Sequence, residues 1–255
     1  MPSTKPTDPT SRVRHLASLL GAAMLAAAPG QMAFAHEGAA MNSNANHASP
    51  TELDARQQAI IPISAFAAAG NMDGLRQALN QGLDAGLSVA ETREILLQVY
   101  AYAGFPRSLN ALGELMKVAD ARKQQGIQDD PGREPRKPIP TGDALLAAGT
   151  ANQTTLAGGP VSGPLFDFAP QANQYLRTHL FGDIFERDNL DWQSRELATV
   201  SMLAAMSGVE PQLKSHIGIS MNIGLRREQL SKLADVLEGR VSREAAERVR
   251  AAANP

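Results

Sequence analysis

Laid over itself at an offset of 138 positions, the chain repeats its helix breaks: Gly70 falls on Gly208, Gly86-Leu87 on Gly224-Leu225, Leu75 on Leu213 and Ala67 on Ala205. Helix-ending glycines recur together with apolar positions between them, so the chain reads as one helical unit of about 50 residues used twice, not as a solenoid array. The segments between the breaks are helical in kind. Aromatic residues make up only 4% of the chain while Ala and Leu abound, which favours helices over the β-branched and aromatic-rich strands of a sheet. An all-α fold is the expectation.

Order is expected to begin near Leu53. The Ala-rich stretch 53–69 lacks strand alternation, and Pro62 inside it predicts a kinked helix or a shifted start. After a break at 70–73, Asp73 is the expected cap of a helix reaching about Ala85. Gly86 closes that helix, and Ser88 with Glu91 forms a capping box for the next, where Val89, Leu96, Val99 and Tyr100 recur on one buried face. A long helix over 105–125 follows, with Pro106 in its first turn. Residues 126–165 contain "DDPGREPRKPIP" and "GGPVSGP" and read as a Pro/Gly-rich linker with one short helix at 143–149. No strand precedes the Gly-rich piece, so it is not a phosphate-cradling loop. Helical patterning resumes at 168–187, 191–207, 210–223, 226–237 and 242–253, which gives a first repeat at 53–125 and a second at 166–255.

The N-terminus has the three parts of a secretory signal: Arg12, Arg14 and His15, the apolar run 16–28, and "AFA" at 33–35. The run is too short for a stable membrane anchor. Residues 1–35 are therefore expected to be removed near Ala35, leaving a periplasmic or secreted protein with a disordered tail at 36–52. A terminal amine at His36 with Met41 and His47 nearby could hold copper, the alternative to an inert tail. The mature chain keeps 21 basic and 25 acidic residues with no basic block, which argues against nucleic acid as a partner. With no cysteine at all, disulfides and thiol chemistry are excluded.

One histidine stands out. His216 lies in "GVEPQLKSHIGISMNIGL", among apolar and small residues, and Glu196 lies 20 positions before it in "SRELATVS". Two consecutive helices joined by the turn at 207–211 can bring both side chains to the same depth. A carboxylate beside an imidazole is an acid/base pair or a structural hydrogen bond, and spacing alone leaves both open. Under the 138 offset Glu196 falls on Gln58 and His216 on Ala78, so only the second repeat can transfer protons this way. Arg195 is expected on another side of its helix as a solvated or interface cation, Trp192 in a core or interface, and Met202, Met206 and Met221 as core filling.

The stretches "YAGFPRSLNAL" and "RELATVSMLAAMSGVEPQLKSHIGISMNIGL" resemble the two signature segments of the carboxymuconolactone decarboxylase family, related to the AhpD-like alkylhydroperoxidases. The resemblance covers about residues 53–118 and 180–238. It implies an AhpD-like helical bundle of two tandem repeats, assembled as a trimer or hexamer, with the site between helices near a repeat or subunit boundary. It makes His216 and Glu196 the catalytic pair, and Tyr102, Phe105 and Asn110 substrate-binding candidates. Arg107, a cation beside that stretch, could meet an anionic substrate, and His179 is a further candidate for the pocket wall. No second "YAGFP" follows Leu237, so the repeats look complementary. The cysteines of the peroxidase branch are replaced by Val209 and Gln212, which leaves the decarboxylase-like branch. Its reaction needs no cofactor or metal: carbon dioxide leaves a lactone or related organic acid, and the resulting dienolate is reprotonated. A non-catalytic exported binding or assembly protein of the same fold is the alternative.

Overall fold

The computed structural model describes residues 52–254. The expected signal, the tail at 36–51 and its copper-binding alternative lie outside the described residues.

Among the described residues the chain is all helical. The first repeat contains α1 (Ala55–Ala69), α2 (Met72–Asp84), α3 (Val89–Ala103) and α4 (Phe105–Gln124). Local chemistry sets each boundary. Asp54 and Gln57 close a capping box over α1, and Ser88 and Glu91 do the same over α3, each satisfying backbone N–H groups that the first turn leaves free. Asn71 caps α2 by accepting from Gly74 N at 2.9 Å, so the expected cap, Asp73, lies instead within the first turn. Pro62 does not shift the start of α1, which runs through it to Ala69.

The second repeat restates this order as α8 (Trp192–Ala204), α9 (Glu210–Asn222), α10 (Arg227–Arg240) and α11 (Arg243–Ala253). The breaks match in conformation as well as position: Gly70 and Gly208 have φ of 76° and 81°, and Gly86 and Gly224 have φ of 91° and 97°. These are left-handed values at which a Cβ is strained, so glycine turns the chain at the break in both halves, although only Gly70 caps its helix directly and α8 stops earlier, at Ala204. Helices α1 and α8 pack against each other at the centre. Ile60, Ile61 and Ile63 of one and Leu197, Val200 and Met202 of the other belong to one buried core that takes in all eight repeat helices.

Between the repeats the structure departs from a plain linker. The short helix expected at 143–149 is the 16-residue α5 (Gly142–Ala157). The single helix expected over 168–187 is broken into α6 (Pro164–Phe168), α7 (Pro170–Tyr175) and a π-helix (Leu176–Ile184). Pro164 and Pro170 each occupy the first turn of a short helix, which is where a missing N–H is tolerated. Helix α5 and the π-helix touch backbone to backbone: a Cβ on Gly149 would lie 1.7 Å from the Arg177 carbonyl oxygen. Together they build a second, smaller core of Leu156, Leu180, Phe181, Ile184 and Phe185, against which Ile219 of α9 and Tyr100 and Tyr102 of α3 pack. The insertion therefore forms a wall beside helices from both repeats. Among the described residues no helix is long and apolar enough to cross a membrane.

Candidate active site

Helix α8 is enclosed by its neighbours, and Glu196, in its second turn, has no solvent exposure at all. Its Oε2 lies 2.8 Å from Nδ1 of His216 on α9. The intervening turn at Gly208 and Pro211 at the start of α9 bring the two helices back alongside each other, as the spacing predicted. His216 retains 8% exposure. With Nδ1 committed to the carboxylate, Nε2 is the ring nitrogen left free to exchange a proton with a ligand.

Tyr102 of α3 completes a three-residue cluster. Its ring meets His216 edge to face, with centroids 5.5 Å apart. Its hydroxyl is enclosed and has no hydrogen-bond partner, and Glu196 Oε1 is in the same condition. Burial pushes the Tyr102 phenol well above its ordinary pKa, and the Glu196 carboxylate adds to the shift. The phenol is thus a protonated donor at neutral pH.

The other expected contacts are placed elsewhere. Phe105, at the start of α4 after the left-handed Gly104, is 62% exposed and stacks on Tyr100 at 4.5 Å rather than on the pair. The Arg107 guanidinium donates to the Ala68 carbonyl at the end of α1, so it caps a helix. Asn110 is exposed on α4. His179 is exposed on the π-helix and pairs with Asp183 at 3.0 Å. Of the five ligand contacts expected from sequence, Tyr102 alone touches His216 in this geometry.

Beside the pair runs a buried polar zipper. Arg195, expected in solvent, has no exposure and lies 3.3 Å from Glu94 of α3, which also receives two hydrogen bonds from Arg187 at 2.8 and 2.6 Å. Gln98 donates to the Arg195 carbonyl at 3.0 Å and to the Thr199 hydroxyl at 2.7 Å. Burial alone would raise Glu94, but the hydrogen bonds from Arg187 and the charge of Arg195 outweigh it, leaving its pKa below the usual value. Burial lowers Arg195, and Glu94 opposes that shift. The signal was present in the spacing: Glu94, Gln98 and Tyr102 fall at i, i+4 and i+8 on α3, facing Arg195 and Thr199 at i and i+4 on α8.

Two clefts open on the surface over α10, one of about 350 Å³ that reaches Ile217 and one that reaches Leu53 and Gln58. Neither is lined by Glu196 or His216. The pair meets solvent through the edge of His216 alone, in a nearly dry setting where charge interactions are strong.

The model of the carboxymuconolactone decarboxylase family matches the sequence twice, over residues 37–116 and 170–255. No curated protein matches the chain. The two family matches span more than half of the sequence, and the chain belongs to the carboxymuconolactone decarboxylase family, with an all-α AhpD-like bundle of tandem repeats.

Proposed function

From that membership we propose that the protein is a cofactor-free carbon–carbon lyase that decarboxylates a γ-carboxylated lactone or a related organic acid. The observation that carries the proposal is the buried 2.8 Å contact between His216 and Glu196. When carbon dioxide leaves, the electron pair of the breaking bond moves through the ring double bond onto the lactone carbonyl oxygen, giving a dienolate. Carbon then needs a proton. His216 Nε2, protonated, supplies it, while Glu196 fixes the ring and stabilises the imidazolium. Thiol peroxide reduction has no nucleophile, since the chain contains no cysteine.

The test is turnover of a γ-carboxylated butenolide by the purified chain, with His216→Ala and Glu196→Gln compared. Each substitution should lower kcat by about 10²- to 10⁴-fold, the usual worth of a positioned general acid. Unchanged turnover in both variants, with the fold intact, would overturn the proposal. The rival reading, a binding protein without catalysis, has the enclosed setting of the pair in its favour and is decided by the same comparison. Phe105, Leu109 and Met116 are exposed on α4, which supports assembly into a homo-oligomer.

A further inference from the structure

The structure contains a hydroxyl that packing does not explain. The edge-to-face contact between Tyr102 and His216 needs only a ring, and phenylalanine would supply it. The hydroxyl adds a polar group that is enclosed and unpartnered. Thr199, the next polar residue of the zipper, lies close enough to oppose part of the phenol's shift but makes no hydrogen bond to the hydroxyl; its own bonds run to the Arg195 carbonyl at 2.9 Å and from Gln98 at 2.7 Å. Glu196 Oε1 is the second enclosed, unpartnered atom of the cluster. A native interior leaves few such groups unsatisfied. Of the two, only the phenol has a proton to give, so it is the hydroxyl that points to an acceptor atom on a ligand; the carboxylate oxygen only accepts and does not pair with an oxyanion.

We propose that Tyr102 is a catalytic residue whose hydroxyl donates to the developing oxyanion of an enolate or dienolate ligand, while His216 exchanges the proton on carbon. The inference rests on the acid/base reading of His216 and Glu196, and deepens it by assigning the group that holds the enolate oxygen. Tyr102 belongs to the first repeat and the pair to the second, so the oxyanion is held from one half of the chain and protonated from the other. A phenol kept protonated by burial is suited to this, because it donates without adding a negative charge beside the developing oxyanion.

Decarboxylation is not needed to test it. On a β,γ-unsaturated lactone without a carboxylate, such as α-angelica lactone, neutral His216 would remove the α-proton. The C–H pair becomes the new carbon–carbon π bond, the carbonyl oxygen takes the charge and accepts from Tyr102, and the reverse step in deuterium oxide returns a deuteron from the imidazolium. Deuterium incorporation is followed by proton NMR with the full chain. Tyr102→Phe should slow incorporation by about 10²- to 10³-fold, as for loss of an oxyanion-hole donor. Its melting temperature should not fall, since an unpartnered hydroxyl is removed. Wild-type exchange in Tyr102→Phe with slow exchange in His216→Ala overturns the Tyr102 assignment and spares the acid/base reading. Slow exchange in Tyr102→Phe with wild-type rates in His216→Ala and Glu196→Gln does the reverse. No exchange by the wild-type chain overturns the assignment too. At equilibrium, the wild-type chain should bind tetronate, an anionic butenolide, at least about tenfold more tightly than uncharged 2(5H)-furanone, the worth of a hydrogen bond to a charged group. Tyr102→Phe should erase that preference; its survival refutes the assignment.

Discussion

Replacing Glu94 by Gln should be strongly destabilising although the change is isosteric. Glu94 is 1% exposed and is held by Arg187, itself 26% exposed, and by Arg195, which has no exposure. Arg187 can turn its head towards water when the carboxylate charge is removed. Arg195 cannot, because its guanidinium is enclosed between α3, α8 and the Phe185 ring, whose centroid is 5.9 Å away. Breaking a buried pair by removing one partner costs about 3–5 kcal/mol, chiefly from the charge left behind. For a domain of about 200 residues each kcal/mol shifts the melting temperature by about 2–4 °C, so the expected drop is about 6–20 °C. The pH dependence has a definite sign. The folded pKa of Glu94 is lowered, so its carboxylate contributes stability above the unfolded value of about 4.3 and loses that contribution as pH falls through this value and then the folded one. The difference between wild type and Glu94→Gln should therefore be full at pH 7 and shrink on acidification below about pH 4.3. Thermal and urea unfolding across that range read both effects. A melting temperature within about 2 °C of wild type at pH 7 would refute the reasoning, because a buried guanidinium would then have lost its partner without cost.

Two further substitutions probe the frame around the site. Ser88→Ala removes the acceptor for Glu91 N at the start of α3 and should cost about 1 kcal/mol in urea unfolding, with unchanged far-ultraviolet circular dichroism. Gly149→Ala forces a Cβ into the Arg177 carbonyl at 1.7 Å and should destabilise by about 1–3 kcal/mol, whereas Gly113→Ala, with open space around it in α4, should stabilise by about 0.5–1 kcal/mol. Equal effects of the two glycine changes would contradict the close approach of α5 to the π-helix.

The fold was legible where local chemistry decides it. Helix-ending glycines, the Ser88–Glu91 box and the 138-residue offset are short-range signals, and the structure places α2, α3 and α4 and their counterparts α9, α10 and α11 at starts separated by that offset. The insertion is less legible, because Pro and Gly mark breaks without showing what lies between them. The 16-residue α5 is held by its contact with the π-helix, a tertiary effect with no sequence periodicity of its own. At the candidate site, the pairing of Glu196 with His216 followed from two helices and one tight turn. Arg195 is buried and not solvated because its side of α8 faces α3 of the other repeat, a long-range contact that neighbouring residues do not reveal. Arg107 and Phe105 sit next to Tyr102 in sequence, yet the left-handed Gly104 and the start of α4 carry them away from it.

Carried through the 138-residue offset, Tyr102, Glu196 and His216 correspond to Arg240, Gln58 and Ala78. The second copy of the arrangement therefore has neither the carboxylate, the imidazole nor the phenol. A chain organised this way is a heterodimer in covalent form. In an assembly of identical single repeats, each substitution appears at every equivalent position and must suit all of them. Here one half can present a donor while the other presents a proton relay, and neither choice has to be compatible with its own mirror position. Saturation mutagenesis should show that independence as two different tolerance profiles, with substitutions at Gln58, Ala78 and Arg240 accepted on packing grounds alone.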